Sequence, residues 1–318
     1  MQDWVAAVGA ANIDILGFSE QTLLPKDSNP GEIDTCPGGV SRNISENLVR
    51  LGVPVKLITA LGDDTGGNQL RLSCEALGID LSASLEVPGR NSSSYMAIMD
   101  ADGEMALALS DMRILDELTV AHLKKHHDIL THSAAIVMDA GLLPDTMAYL
   151  AATHPGNKTF LDPVSVKKCV RMEKITGQLY CLKLNRQEAG YLAGISIQCH
   201  ETLTAASKKL LGLGVQRVYI TLGKEGIYSA EPGNASLVPA PSIRLVNATG
   251  AGDAVMAAVV YGELQGWSMK DTARFAVGAA ALAVSSHSTV SSRMSPENIS
   301  RIVKEKMCDV ESSSSFRY

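Results

Sequence analysis

The chain has 318 residues, with 28 Lys and Arg against 34 Asp and Glu for a net charge of -6 at pH 7. Hydrophobic residues make up 46% but aromatics only 4%, and there are 27 glycines, so the core has to be built from aliphatic side chains around many tight turns. That favours layered α/β structure over an aromatic-rich sandwich. The length suits one large domain or two modest ones. No stretch concentrates Lys and Arg into the basic stripe that nucleic acid needs, and no apolar run approaches the ~20 residues that span a bilayer. The opening Met1-Gln2-Asp3-Trp4 is not a basic stretch followed by an apolar one, so no secretory signal is expected and the cytoplasm is the default location. Cys36, Cys74, Cys169, Cys181, Cys199 and Cys308 form no C-x-x-C pair, which points to reduced thiols rather than structural zinc or a disulfide framework.

In chain order, residues 4–11 read as a buried first strand. Helical spacing begins at Ser41, with Ile44, Leu48 and Leu51, and stops at Gly52, as helices ending in a left-handed residue do. A strand at 55–61 and a helix at 65–77 follow. The alternation continues through helix 119–130, strand 135–139, helix 144–154, strands 158–162 and 181–184, helices 186–193 and 202–211, and strand 217–222. Strands alternating with helices imply parallel crossovers and a three-layer α/β/α sandwich.

Two stretches break the pattern. Residues 15–35 carry Pro25, Pro30 and Gly31, and residues 85–111 read as strands 94–99 and 104–109 around the turn Asp100-Ala101-Asp102-Gly103. The two are expected to pair as a small β-sheet lid over the strand ends of a single domain spanning residues 1–310. Beyond Gly250 come helices at 251–264, 270–285 and 296–306, and the serine-rich tail 311–318 has too little apolar content to pack, so disorder is expected there.

The most informative string is Asn247-Ala248-Thr249-Gly250-Ala251-Gly252-Asp253, which opens an apolar helix. Its glycines let consecutive backbone N–H groups point outward from a helix N-terminus, an arrangement that attracts anions. A carboxylate beside a bound anion is there to accept a proton or orient a hydroxyl, although the same string also serves as an ordinary cap after a glycine turn. The third glycine of a dinucleotide fingerprint is missing, as are the P-loop, zincin and hydrolase-elbow strings. His122 and His126, spaced i, i+4, sit among lysines and read as a solvated face.

Further signals fall where the alternation brings them to one edge of the sheet. Pro37-Gly38-Gly39-Val40-Ser41-Arg42-Asn43 opens a helix, and Asn12 and Asp14 lie just past the first strand, where open α/β sheets bind ligands and where Asp14 could accept from vicinal hydroxyls. Asn185 and Glu188 lie one helical turn apart, able to hold water around Mg²⁺ or to form a capping box. Thr221-Leu222-Gly223-Lys224-Glu225-Gly226 could let a phosphate chain approach the backbone or be a plain hairpin turn.

In this order and combination the four strings resemble the signatures of ribokinase-like, or PfkB, carbohydrate kinases, over nearly the whole chain. The resemblance implies a three-layer α/β/α sandwich with a mostly parallel sheet and a β lid, ATP as donor and Mg²⁺ as cofactor. It implies Asp253 as the base for the acceptor hydroxyl, and Gly250, Ala251 and Gly252 amides as the anion hole. Asn12, Asp14, Gly38, Gly39 and Asn43 would bind the acceptor, Asn185, Thr221, Gly223, Gly226 and Thr249 the nucleotide, and Glu188 with Asn185 the metal. The helix N-terminus is expected to lower the pKa of Asp253 and keep it ionised.

Within the family, Asp27-Ser28-Asn29-Pro30-Gly31, Ser93-Ser94-Tyr95, Ser110-Asp111-Met112 and Asp162-Pro163-Val164-Ser165 with Lys168-Cys169 resemble the branch that acts on pseudouridine. That implies transfer to its 5′-hydroxyl, with Ser93, Ser94 and Asp111 meeting a uracil attached through carbon. Another nucleoside, a free pentose, or a ligand-binding relative without catalysis are the alternatives. The family often carries Asp where Asn247 stands, a position associated with monovalent cations, so dependence on K⁺ is left open. A projecting lid has an exposed edge that a second subunit would cover, so a homodimer through the lid is expected, with no nucleic-acid or membrane partner.

Overall fold

A computed structural model describes residues 4–153 and 158–313. The first half runs β1 (Val5–Val8), β2 (Asn12–Ser19), β3 (Gly31–Gly38), α1 (Val40–Arg50), β4 (Val55–Ile58), β5 (Ala60–Gly62), α2 (Thr65–Ala76), β6 (Leu85–Val87), β7 (Ser94–Met99) and β8 (Met105–Asp111). Then come α3 (Val120–Lys125), α4 (His127–Thr131), β9 (Ala135–Asp139), α5 (Pro144–Thr153), β10 (Lys158–Asp162), α6 (Val166–Cys169), β11 (Cys181–Asn185), α7 (Arg186–Ala193) and α8 (His200–Gly212). The chain closes with β12 (Arg217–Thr221), β13 (Ile227–Glu231), β14 (Asn234–Val238), α9 (Ala251–Leu264), α10 (Met269–Val284) and α11 (Pro296–Ser313).

Eight strands form the central sheet in the order β14-β13-β12-β11-β10-β9-β1-β4. All pairings from β4 to β12 are parallel, and β13 and β14 add an antiparallel edge. Successive side chains of a strand point to opposite faces, and here both faces are buried. Val5 and Ala7 join a cluster with α1, α9 and α10, while Ala6 and Val8 join another with α5, α7 and α8. Double burial is why these strands read as unbroken apolar runs rather than as alternations. It is also the physical basis of the three layers, since each fully covered Val, Leu or Ile contributes roughly 1.5–3 kcal/mol.

The stretch 55–61 is two strands, not one. At Thr59 the backbone N–H is taken by the Ser84 hydroxyl at 3.1 Å, the chain leaves the main sheet, and β5 pairs with β6 instead. Residues 119–130 likewise break at His126, which ends α3 and caps α4; the break carries both Leu123 and Leu130 into the core. Helix α11 extends through Ser313, into the stretch expected to be a tail, and residues 314–318 lie outside the described residues. Among the described residues no helix is long and apolar enough to cross a membrane.

The second sheet has the order β3-β2-β7-β8. Its register sets two faces. Cys36, Asp14, Tyr95 and Ser110 form one row across all four strands, and Thr35, Ile15, Met96 and Leu109 form the next row, on the opposite face. That second face carries Ile33, Leu107 and Leu109 exposed at 74%, 56% and 65%.

Candidate active site

Parallel strands end together, so β9, β10, β11 and β12 deliver Asp139, Asp162, Asn185 and Thr221 to one edge of the sheet. The N-termini of α1 and α9 meet at that edge. Gly250 caps α9 with φ 81, and a Cβ there would stand 2.1 Å from the Thr289 carbonyl oxygen, so only glycine allows the chain to enter the helix at this place. The first-turn N–H groups of α9 are unpaired within the helix and form the donor set for an anion.

Asp253 lies in that first turn and is buried. Its Oδ2 accepts from Asn43 Nδ2 at 2.9 Å. The amide of Asn43 is oriented in turn by Arg42, whose Nη1 donates to Asn43 Oδ1 at 3.1 Å and to the Pro37 carbonyl at 3.4 Å. Arg42 is itself paired with Glu46 at 2.5 Å. Burial pushes the Asp253 carboxyl up to about 7, with Asp162 and Asp139 adding to the rise and Asn43 and Lys183 opposing it. The expected lowering by the helix end is therefore corrected. The loss of hydration and a neighbouring carboxylate outweigh the partial positive charge of the helix terminus.

Asp139 accepts three hydrogen bonds, from the Ala10 and Gly141 backbone at 2.7 Å each and from Ser41 Oγ at 2.6 Å. It ties β1, α1 and β9 together under the site. Asp162 accepts from the Val164 backbone at 2.9 Å and from Lys183 Nζ at 2.5 Å. Sequence reasoning assigned no role to Lys183, although a lysine inside the apolar run Cys181–Asn185 was the visible signal. Burial works against its charge, but Asp162, Glu188 and Asp253 outweigh that and hold its pKa above the ordinary value.

On β2, Asn12 Nδ2 donates to Asp14 Oδ1 at 2.6 Å. Burial raises the Asp14 carboxyl, while Asn12 and Arg42 pull it back. Gly38 pairs with Asn12 in register, and a Cβ on it would meet the Asp14 carboxylate at 2.3 Å; Gly39, with φ 100, then leads into α1. Asn12, Asp14, Gly38, Gly39 and Asn43 are thus brought together. Ser93 is buried and its carbonyl accepts from the Ile13 backbone at 2.9 Å. Ser94 and Asp111 pair with each other and share the row of Ile13, on the lid face opposite Asp14. Asp111 is held by Arg113 at 2.6 Å, which pulls its carboxyl down to about 2. The lid therefore does not bring these two side chains to Asp14. Tyr95 and Ser110 share the face of Asp14 instead.

At the start of α7, Asn185 and Glu188 form a capping box: Asn185 Oδ1 accepts from the Glu188 N–H at 2.9 Å and Glu188 Oε2 accepts from the Asn185 N–H at 2.8 Å. Burial raises the Glu188 carboxyl, as does Asp162, against the Asn185 N–H and Lys183. Thr221 Oγ1 donates to the Leu184 carbonyl at 3.3 Å, and Gly223 and Gly226 bracket the turn from β12 to β13. The Thr249 N–H donates to Asn247 Oδ1 at 2.9 Å, and Asn247 Nδ2 donates to the His287 carbonyl at 3.2 Å, so Asn247 braces the loop that enters α9. Among the described residues no group of three or more His, Cys, Asp or Glu is arranged to hold a metal directly.

The assembled edge gathers the unpaired N–H groups of α9, a buried carboxyl pushed up to about 7 and, on β2 of the second sheet, an Asn–Asp pair. The family model described as pfkB family carbohydrate kinase matches residues 2–296. A pseudouridine kinase of Escherichia coli is 34% identical over 308 residues, covering 96% of this chain and 98% of that protein. Among solved structures, a putative sugar kinase from Clostridium perfringens superposes with TM-score 0.85 at 29% identity, over 95% of this chain and 96% of that one. A putative ribokinase II from E. coli, solved with ATP and Mg²⁺, gives TM-score 0.82 at 18% identity, over 95% and 99%. The fold is ribokinase-like.

Proposed function

We propose an acceptor and a mechanism for a chain that belongs to the pfkB family of carbohydrate kinases: transfer of the γ-phosphoryl group of ATP to the 5′-hydroxyl of pseudouridine. The observation that carries the kinase chemistry is Asp253 in the first turn of α9, hydrogen-bonded by Asn43 from α1. The match to a pseudouridine kinase over nearly the full length of both chains supports the acceptor.

Asn12 and Asp14 hold the ribose hydroxyls, and the lid row of Asp14, Tyr95 and Ser110 covers the nucleoside. The 5′-hydroxyl donates its proton to Asp253 Oδ as its oxygen attacks the γ-phosphorus. The bond from that phosphorus to the bridging oxygen breaks, and ADP leaves with the electron pair. The N–H groups of Gly250, Ala251 and Gly252 receive the charge on the transferring group. Such a transition state is loose and needs positioning more than basicity, and a carboxyl near 7 is matched to work at neutral pH.

Thr221, Gly223, Gly226 and Thr249 border the nucleotide. Mg²⁺ uses few protein carboxylates and keeps water and phosphate as its other ligands. Among the buried carboxylates at this edge, Glu188, anchored by Asn185, would hold the ion through water. Bound there, Mg²⁺ supplies charge neutralisation for the triphosphate. Asn247 fixes the α9 loop through His287 and leaves that loop without the carboxylate that would favour K⁺. A second copy of this chain would cover the exposed lid face of Ile33, Leu107 and Leu109.

Release of ADP, measured over pseudouridine, uridine, adenosine, ribose and fructose 6-phosphate with Asp253→Asn as control, tests the proposal. Pseudouridine is expected to turn over fastest. Faster turnover of ribose would overturn the acceptor, and turnover of none would overturn the kinase.

A further inference from the structure

Among the described residues, two that are not glycine have a left-handed backbone, Lys26 at φ 66 and Val164 at φ 68. Lys26 lies in an exposed turn between β2 and β3. Val164 is different, because a branched Cβ makes that conformation a costly one. It is held there from both sides. The Ser165 N–H donates to the Pro163 carbonyl at 2.7 Å across Val164, which with the positive φ is the strained form of a three-residue turn. The Val164 N–H donates to Asp162 Oδ1 at 2.9 Å.

The backbone of this turn has a clear duty. Pro163 has no N–H, so the first backbone donor after Asp162 is that of Val164, and the turn brings it back to the carboxylate that pairs with Lys183. Glycine would serve that duty without strain. A strained valine persists only where its surroundings require it, and the core does not: Val164 is half-buried and joins neither of the two core clusters.

The second observation is position. Asp162 ends β10 at the site edge, near enough to Asp253 to raise its carboxyl. Beyond Val164 the chain runs back over β9: Lys168 Nζ stands 3.6 Å from where a Cβ on Gly141 would lie, and Arg171 Nη1 donates to the Gly141 carbonyl at 3.0 Å. Asp139 ties β9 to β1 and α1, the elements that lead to Asn12 and carry Asn43. The side chains gathered on that side are polar, whereas a pocket for a small organic ligand is mostly apolar, with a few polar groups that fix orientation. We propose that Val164 is a specificity-determining residue of the acceptor pocket, its isopropyl group forming an apolar wall for the uncharged face of the nucleoside. The inference rests on the pseudouridine reading above. The strained turn presents this side chain to the ligand while its N–H keeps Asp162 in place.

The test is calorimetric binding of pseudouridine, and of ADP with Mg²⁺, to the full chain and to Val164→Gly and Val164→Asn, with melting curves of all three. Both replacements suit a left-handed turn, so both should melt close to the native chain. Each should weaken pseudouridine by ~10-fold or more, as removing methyl groups from an apolar contact does, and ADP by less than ~2-fold. The KM for pseudouridine should rise by the same factor with kcat little changed, because such a wall binds ground state and transition state alike. A turn that served Asp162 alone would move kcat and its acid limb instead. If the glycine variant does not fold, the asparagine variant gives the same comparison; loss of the fold in both makes Val164 structural and overturns the proposal. Pseudouridine bound as tightly as before, or ADP weakened as much as pseudouridine, overturns it and spares the kinase reading. A native chain that does not bind pseudouridine overturns the acceptor reading and this proposal with it.

Discussion

Asn43 and Asp253, 210 positions apart in the sequence, meet through a 2.9 Å hydrogen bond from amide to carboxylate. The bond joins the helix that follows the lid strand β3 to the helix that carries the anion cradle. Arg42 fixes which end of the Asn43 amide faces the carboxylate, because its guanidinium occupies Oδ1. The Asp253 carboxyl is therefore held from α1 and raised by burial at once.

The acid limb of activity should follow from this. With the Asp253 carboxyl pushed up to about 7, kcat should fall about tenfold per pH unit well below that value, where the base is protonated. Asn43→Leu removes a donor that favours the ionised form, so the limb should move to higher pH. A pH profile of kcat for both proteins checks the pair of outcomes; an unmoved limb would detach Asn43 from the base.

Asp253→Asn should lose activity by ~10²-fold or more and yet gain stability at high pH. The folded value, about 7, lies above the ordinary 3.8, so folding favours the neutral carboxyl. Below about pH 4 it is neutral in both states and costs nothing; from about 4 up to 7 the unfolded chain gives up the proton that the folded chain keeps, so stability falls across that window and levels off once the buried group ionises. Melting curves should show the variant several °C above the native chain at pH 8 and level with it at pH 4. A lower melting temperature at pH 8 would contradict the burial cost.

Gly250→Ala should damage both fold and catalysis. Its Cβ would meet the Thr289 carbonyl at 2.1 Å in a left-handed backbone, which by itself costs an alanine roughly 1–2 kcal/mol. Melting temperature and kcat should drop together. A variant with unchanged kcat would show that the cradle does not depend on the local entry of α9.

The lid face predicts the assembly. Leu107→Lys with Leu109→Lys places two charges on the exposed apolar rows, where burial against a second copy would be opposed by their desolvation. Sedimentation should give a dimer for the native chain and a monomer for the variant. A native monomer would remove the lid from any interface.

The sequence by itself determined the layers and the strings that gather at one edge of the sheet. Buried parallel strands have to be continuous apolar runs, so β9 and β10 were legible from local pattern, whereas the strings at 37–43, 185–188, 221–226 and 247–253 each read equally as caps or turns and took on meaning together through their resemblance to a family. Only the tertiary structure decided what depends on register and burial. The pleat of β7 and β8 puts Ser94 and Asp111 on the face away from Asp14 and brings Tyr95 and Ser110 to it, a difference of one residue that strand composition does not encode. The direction of the Asp253 pKa shift reversed for the same kind of reason: the helix terminus is local and readable, whereas Asp162, Asp139 and the loss of water arrive from other strands. Lys183 received no role from the sequence, and only the tertiary structure sets it against Asp162 and beside Gly252.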